Sequence, residues 1–287
     1  MKGIILAAGK GTRLYPMTYP VCKPLLPVYD KPMIYYPLDV LLKAGIRDIL
    51  IITPPGGETE AFRRLLGDGS NLGVHIAYME QPVARGIADA LILGRDFING
   101  DRVCLVLGDN IFFSPHIQEQ LKQAVDNREG ATIFGYYVED PRPFGVVEFD
   151  GQGNVIGLEE KPAQPKSHYI VPGLYFYDGN AGEIAGALEP SARGELEITD
   201  VNIEYMNRKQ LKIVLLDEAF TWFDAGSADS LLRAADGICR LQKQTGRCIA
   251  CIEETAWRMG FIPIEHKNAL GEELRMTLYG QYLLGLS

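Results

Sequence analysis

Between Lys2 and Leu107 short apolar runs alternate with stretches of helical period, and this alternation limits the chain to very few architectures. Strands are expected over Gly3–Ala8, Asp48–Thr53, Val74–Tyr78 and Arg102–Leu107. Helices are expected over Met33–Ala44, Glu58–Leu66 and Ile87–Ile98, the first two closed by Gly45 and Gly67. Strands that are apolar on both faces need cover on both sides, which a parallel sheet with crossover helices supplies. From Ala131 the texture changes. Thr132–Val138, Gly145–Phe149, Val155–Glu160 and Tyr169–Tyr177 are β-rich with short polar connections, as antiparallel or mixed strands would be. A helix over Thr199–Arg208, a strand over Leu211–Leu216 and a helix over Ser227–Gln244 follow, then short helices. The expected fold is α/β: a Rossmann-like, mostly parallel central sheet flanked by helices, a mixed-strand portion, and a helical C-terminal extension. With no Gly/Ser-rich or charged linker, the expected division is an α/β domain over 1–244, with halves at about 1–130 and 131–226, and a helical segment over 245–287.

The chain has 287 residues, a net charge of −9 and 47% hydrophobic residues, enough for a sizeable core without a basic face. That balance argues against a general nucleic-acid or membrane-surface binder. No apolar run reaches the roughly 18 residues of a membrane span. The N-terminus runs straight into the first strand without a basic n-region, so a cytoplasmic location is expected. Five cysteines at irregular spacing read as reduced thiols, and the Cys248/Cys251 pair lacks the further ligands zinc needs.

Ligands of such sheets bind at the carboxyl ends of the strands, which directs attention to the loops there. The first is Gly9-Lys10-Gly11-Thr12-Arg13, where bare glycines let backbone N–H groups approach a ligand and Arg13 can grip a phosphate bidentately. It is not the dinucleotide fingerprint, whose third glycine would stand at Leu14, nor a P-loop. The prolines of Pro16–Pro32 forbid a helix interior and are expected to fix an extended, stiff path that holds Lys23 in place. Gln81, just past the third strand and shortly before Gly86, carries the donors and acceptor that suit a base edge. Asp109 follows a strand and a glycine, as a carboxylate offered to Mg²⁺ would, and Asp224 repeats that arrangement before a helix. Glu160 and Lys161 read equally well as a solvated charge pair or as a sugar-hydroxyl acceptor beside a phosphate-binding ammonium. No Ser-His-Asp or Cys-His arrangement is present.

Taken together, Leu6–Leu14 and Lys23–Leu38 resemble the sugar-1-phosphate nucleotidylyltransferases, and within them the branch that uses dTTP and α-D-glucose 1-phosphate. Leu107–Asn110, Phe144–Phe149, Leu158–Pro162, Gly173–Asp178, Arg193–Val201 and Gly280–Leu283 extend the likeness almost end to end. The resemblance implies in-line attack by the sugar phosphate on the α-phosphorus of the triphosphate, Mg²⁺-dependent, with diphosphate released. Arg13, Lys23 and Lys161 would be catalytic, with Arg13 on the departing diphosphate, Lys23 near the reacting centre and Lys161 on the sugar phosphate. Leu6, Gly9, Gly11, Thr12 and Asn110 would contact substrate, and Gln81 and Gly86 would meet the base. Gly145, Glu160, Val171 and Tyr175 would form the sugar pocket with Arg193 nearby, and Asp109 and Asp224 would bind the metal. The ending, Cys251–Phe261 with Tyr279–Leu284, resembles homotetrameric enzymes of dTDP-rhamnose synthesis that carry an allosteric product site. Ala8, Pro24, the Val83-Ala84-Arg85-Gly86 segment and Phe223-Asp224-Ala225-Gly226 depart from the thymidine-using pattern, so UTP stays open as the triphosphate. A non-catalytic nucleotide-sugar-binding regulatory protein is the alternative of another class, and the intact Arg13, Lys23, Asp109, Lys161 and Asp224 argue against it.

Overall fold

A computed structural model describes residues 1–287, which form two compact units. The first comprises Met1–Leu6, Gln81–Leu107 and Ser114–Thr221. Its strands follow the order Val155–Glu160, Gly145–Phe149, Tyr169–Ile170, Ala131–Tyr137, Leu174–Tyr177, Val103–Leu107 and Lys2–Leu6, with Leu211–Leu215 pairing Ala131–Tyr137. Lys2–Leu6 and Val103–Leu107 are parallel and in register from Lys2↔Val103 to Leu6↔Leu107, so their carboxyl ends finish level. Their residues from Gly3 to Ile5 and Val103 to Val106 are buried, as strands covered on both faces must be. Leu174–Tyr177 is antiparallel to both of its neighbours, and Val155–Glu160 pairs antiparallel with Gly145–Phe149. The mixed texture expected after Ala131 is therefore present.

The second unit comprises Ala7–Glu80, Gly108–Phe113 and Trp222–Ser287. Asp48–Thr53 lies parallel to His75–Glu80, with helices at Tyr35–Lys43 and Glu58–Leu66. The short strands Asn110–Phe113 and Thr221–Asp224 pair with each other. Ile111 and Ala225 are buried in a cluster with Val28, Met33, Tyr36, Ala234 and Ile238. The helix Ala228–Thr245 starts at a capping box: Ser230 N–H donates to Ser227 Oγ (3.2 Å) while Ser227 N–H donates to Ser230 Oγ (2.9 Å). Gly246, at φ 67°, ends it.

Three expectations need correction. The helix expected over Ile87–Ile98 is two short helices, Asp89–Leu93 and Arg95–Ile98, divided at Gly94, where a helix is cheapest to interrupt. The strand expected over Tyr169–Tyr177 stops at Ile170 and resumes at Leu174, because Pro172 between them has no N–H for a ladder. The proline-rich run is not one extended path. It holds a 3₁₀ turn at Lys23–Leu25, with Pro24 inside the turn, and a two-stranded hairpin at Pro27–Val28 and Lys31–Pro32. Two helices are not among those expected: Ile117–Asp126, which does bury Ile117, Leu121 and Ala124 at helical spacing, and Ala181–Gly186, which is too short for a period to register.

The chain ends in the helices Ile252–Arg258, Ile264–Glu273 and Leu278–Leu284, and no helix is long and apolar enough to cross a membrane. Lys267 is fully buried there, with its ammonium 5.1 Å from the centre of the Trp257 ring. It donates to the carbonyls of Leu283 (2.7 Å), in the last helical turn, and of Leu286 (2.6 Å), just past the helix end. Two hydrogen bonds from a charged donor contribute about 3–6 kcal/mol. Lys267→Met, which keeps the stem and removes the donors, is expected to lower the urea midpoint and to speed amide exchange across Leu278–Leu284. Exchange unchanged there would mean that the last helix is held by apolar contacts alone.

Candidate active site

The second unit begins at Ala7 with a loop closed by Gly11, which is left-handed at φ 61° and starts the 3₁₀ turn Thr12–Leu14. A side chain at Gly11 would place its Cβ 3.1 Å from both Lys23 Cβ and Thr18 Cγ2, so the bare residue lets the turn pack against Lys23. Thr18 Oγ1 donates to the Gly11 carbonyl at 2.8 Å and fixes the turn from the other side. Around Gly9 there is open space, and Gly9, Thr12 and Arg13 are exposed.

Lys23 is buried, and its ammonium bonds to Asp109 Oδ2. The 3₁₀ turn and Pro24 hold its backbone, so little rotamer freedom is left to lose when it meets a ligand. Asn110 Nδ2 donates to Asp109 Oδ1 at 2.9 Å, and Trp222 Nε1 donates to Asn110 Oδ1 at 2.7 Å. The Ala225 amide also donates to the Asp109 carbonyl at 3.2 Å, tying the ends of the two short strands. Asp224 stands at the end of its strand, next to Asp109 in the electrostatic sense. Burial pushes its carboxyl above the usual range and the Asp109 charge adds to that, while Lys23, Arg13 and the Gly226 amide pull it back. A Cβ on Gly226 would lie 3.0 and 3.1 Å from the Asp224 oxygens and 3.4 Å from Arg13 Nη2, which shows how closely carboxylate and guanidinium approach there. The structure thus gathers Gly11, Thr12, Arg13, Lys23, Asp109, Asn110 and Asp224: two carboxylates, two cations and a turn.

The donor set suits a divalent cation. Two carboxylates this close, Asp224 partly buried and raised in proton affinity by burial and by its neighbour's charge, gain from a positive ion beside them, and a hard cation accepts one or two carboxylates with phosphate oxygens and water. No group of three His, Cys, Asp or Glu side chains is placed to hold a metal, so the protein alone would not complete an ion's shell.

The other expected residues lie in the first unit. Glu160 is the hub of one group: its Oε2 accepts from Thr199 Oγ1 at 2.5 Å, and its Oε1 meets Arg193 Nη2 at 3.4 Å and Lys161 Nζ at 3.7 Å. Gly145 faces this carboxylate, since a Cβ would sit 2.9 Å from Thr199 Oγ1 and 3.2 Å from Glu160 Oε2. Lys161 adopts φ 46°, unusual for a residue with a side chain, with its amide tied to the Phe144 carbonyl at 2.9 Å. Val171 donates its amide to the Gly145 carbonyl at 2.9 Å. Arg193 Nη2 donates to both Glu197 oxygens at 2.8 Å, and its Nε donates to Oε1 at 3.2 Å. Tyr175 is buried and stacks on Tyr177, and Leu6 closes its strand opposite Leu107. Gly86, at φ 107°, turns its bare face to the Leu196 backbone, 2.4 Å from the carbonyl oxygen to where a Cβ would be. Gln81 is buried and donates to Asp89.

Sequence reasoning missed Thr199, Glu197, Asp89 and Trp222 as parts of these constellations. Trp222 and Asp89 gave only a packing signal and a helix start, and neither announces a hydrogen bond to another functional side chain.

The fold and the two constellations define a nucleotide-handling transferase. A model of the nucleotidyl transferase family matches residues 2–240, and the chain belongs to that family. It is 53% identical over 286 residues to the glucose-1-phosphate thymidylyltransferase of Neisseria gonorrhoeae, covering 100% of this chain and 99% of the relative. It is 51% identical to the enzyme of that name from Mycobacterium tuberculosis, with the same coverage. A Bacillus anthracis structure described as a glucose-1-phosphate thymidylyltransferase, in complex with a sucrose, superposes with a TM-score of 0.76 at 43% identity, over 82% of this chain and 94% of that one. A UDP-glucose pyrophosphorylase complexed with UDP-glucose shares the fold, with a TM-score of 0.73 at 21% identity. The family resemblance read from the glycine loop and the Lys-Pro run is therefore borne out.

Asp224 gives a signed prediction. Its folded-state pKa lies above its unfolded value, so between the two the native state holds more protons and stability falls as pH rises through that window. Above it, the charged carboxylate weighs against the fold. Asp224→Asn is expected to raise the melting temperature at pH 7, with the gain shrinking towards about pH 4, near the ordinary Asp pKa. A lower melting temperature at pH 7 would mean that Lys23 and Arg13 outweigh burial.

Proposed function

We propose that this chain joins dTTP to α-D-glucose 1-phosphate, yielding dTDP-glucose and diphosphate. The observation that carries the reading is the Arg13–Lys23–Asp109–Asp224 constellation in a chain matched over its whole length by thymidylyltransferases. Such a transfer needs positioning and charge neutralisation more than a nucleophilic side chain. Asp109 and Asp224 would hold Mg²⁺, whose charge draws electron density from the phosphate oxygens when it is bound. Gly9, Gly11 and Thr12 would seat the triphosphate. Arg13, exposed and beside Asp224, would take the departing diphosphate as its charge grows. Lys23 would share its ammonium between Asp109 and the α-phosphate. Leu6 and Asn110 would line the substrate, and Gln81 and Gly86 would meet the base. Glu160 would accept from sugar hydroxyls, with Gly145, Val171, Tyr175 and Arg193 shaping its surroundings, and Lys161 would bind the sugar phosphate.

The chain would work in the cytoplasm as a homotetramer, at the first step of dTDP-rhamnose-type sugar synthesis. The segment 245–287 would serve as an oligomer and allosteric interface, and the domain reading over 1–244 would stand beside it. Purified protein with Mg²⁺ and glucose 1-phosphate is expected to release diphosphate faster with dTTP than with UTP. Equal or faster turnover with UTP would move the assignment to a uridylyltransferase, and none with any triphosphate would favour a regulatory protein. Asp109→Ala and Asp224→Ala are each expected to reduce Mg²⁺-dependent turnover by at least about a hundredfold while circular dichroism stays native. Wild-type activity in either variant would remove that residue from the metal site.

A further inference from the structure

The segment after the strand His75–Glu80 carries a buried side-chain arrangement that the roles above leave unused. Asp89 is 1% exposed, and both of its carboxylate oxygens are taken. Oδ2 accepts from Gln81 Nε2 at 2.7 Å, and Oδ1 accepts from Arg85 Nη2, also at 2.7 Å. Gln81 itself is 5% exposed, yet its Oε1 has no partner in the chain and is not among the buried atoms cut off from solvent. The Gln81 amide is therefore committed at one end and open at the other.

We infer that Asp89, held by Arg85, sets the amide orientation of Gln81 and so makes the base pocket select a ring that presents an N–H beside a carbonyl, as thymine and uracil do and cytosine does not. The inference rests on Gln81 being the residue that meets the base. The physics is a matter of donors and acceptors. A carboxylate accepts only, so turning Gln81 over would point its Oε1 at an Asp89 oxygen and lose the bond. The Arg85 guanidinium pairs with that carboxylate through Oδ1, so its two oxygens are divided between two donors. With Nε2 fixed inward, Oε1 is the acceptor offered to a ligand, and the remaining Nε2 hydrogen is the only donor beside it. N3–H and the neighbouring C=O of thymine or uracil match this edge, whereas cytosine brings a lone pair to Oε1 and an amino group to the N–H. An isolated glutamine would flip to suit either base. The device ignores the 5-methyl group and the ribose, so it is silent between dTTP and UTP. Asp89 and Arg85 are positioning residues, acting through Gln81.

The test is equilibrium binding of dTTP and dCTP to the full chain by calorimetry, beside diphosphate release in the same preparations. Wild type is expected to prefer dTTP by at least about tenfold, the order of discrimination that a bidentate base contact gives. In Asp89→Asn the new amide can donate or accept, so Gln81 can turn, and the preference is expected to fall about tenfold, chiefly by tighter dCTP binding. Arg85→Ala changes a half-exposed side chain and should fold in any case; it is expected to lower the preference less, about threefold. Equal affinity for the two nucleotides in wild type would overturn the inference. So would an unchanged preference in both variants, or an equal weakening of both nucleotides, which is what a merely structural role would produce. If Asp89→Asn does not fold, the Arg85→Ala ratio decides. Absence of turnover with every triphosphate, with the binding preference behaving as expected, would sink the transfer reading and leave the base-reading role standing.

Discussion

Two carboxylates placed within each other's field repel, and the second unit is arranged to hold Asp109 and Asp224 together in spite of it. Each has its own cation: the Lys23 ammonium on Asp109 and the Arg13 guanidinium near Asp224. Those cations are not free to drift. Lys23 is buried behind a turn that only a residue without a side chain at position 11 lets close, and Asn110 and Trp222 steady the opposite face of Asp109. The pairing of two four-residue strands, 110–113 and 221–224, brings the aspartates side by side although they are far apart along the chain. Phosphate and metal chemistry needs such a balance, because a ligand's charge then enters a field that already contains both signs.

Much of this was legible in the residues. Apolar runs such as Asp48–Thr53 leave little choice but a covered strand, and Glu58–Leu66 between Gly57 and Gly67 is helical by period and by its ends. Asp109 and Asp224 could be singled out because a carboxylate at a strand's end, within two residues of a glycine, is a local pattern. The family was legible for the same reason: the glycine loop and the Lys-Pro run are contiguous.

What stayed hidden depends on contacts between residues distant in sequence. Nothing near Trp222 tells that its indole reaches Asn110, and nothing near Thr199 tells that its hydroxyl bonds Glu160. The strands Asn110–Phe113 and Thr221–Asp224 are too short for alternation to register, and they exist because they pair over a shared core. Gly86 shows how a residue type can be noticed and its local reason missed: the bare Cα accommodates Leu196, whose own amide donates to the Arg85 carbonyl at 2.6 Å.

That last contact also has a reach of its own. Leu196 is bonded on both sides to the segment that carries Gln81, since its carbonyl accepts from Ala88 at 3.1 Å as its amide donates to Arg85. One residue further on, Glu197 grips Arg193, and two beyond that Thr199 grips Glu160. A single stretch of backbone is thus the common abutment for two groups of side chains with different chemical tasks. A shift of that backbone would move both groups at once, so a substitution that displaces Leu196 reaches the Gln81 segment and the Glu160 cluster together.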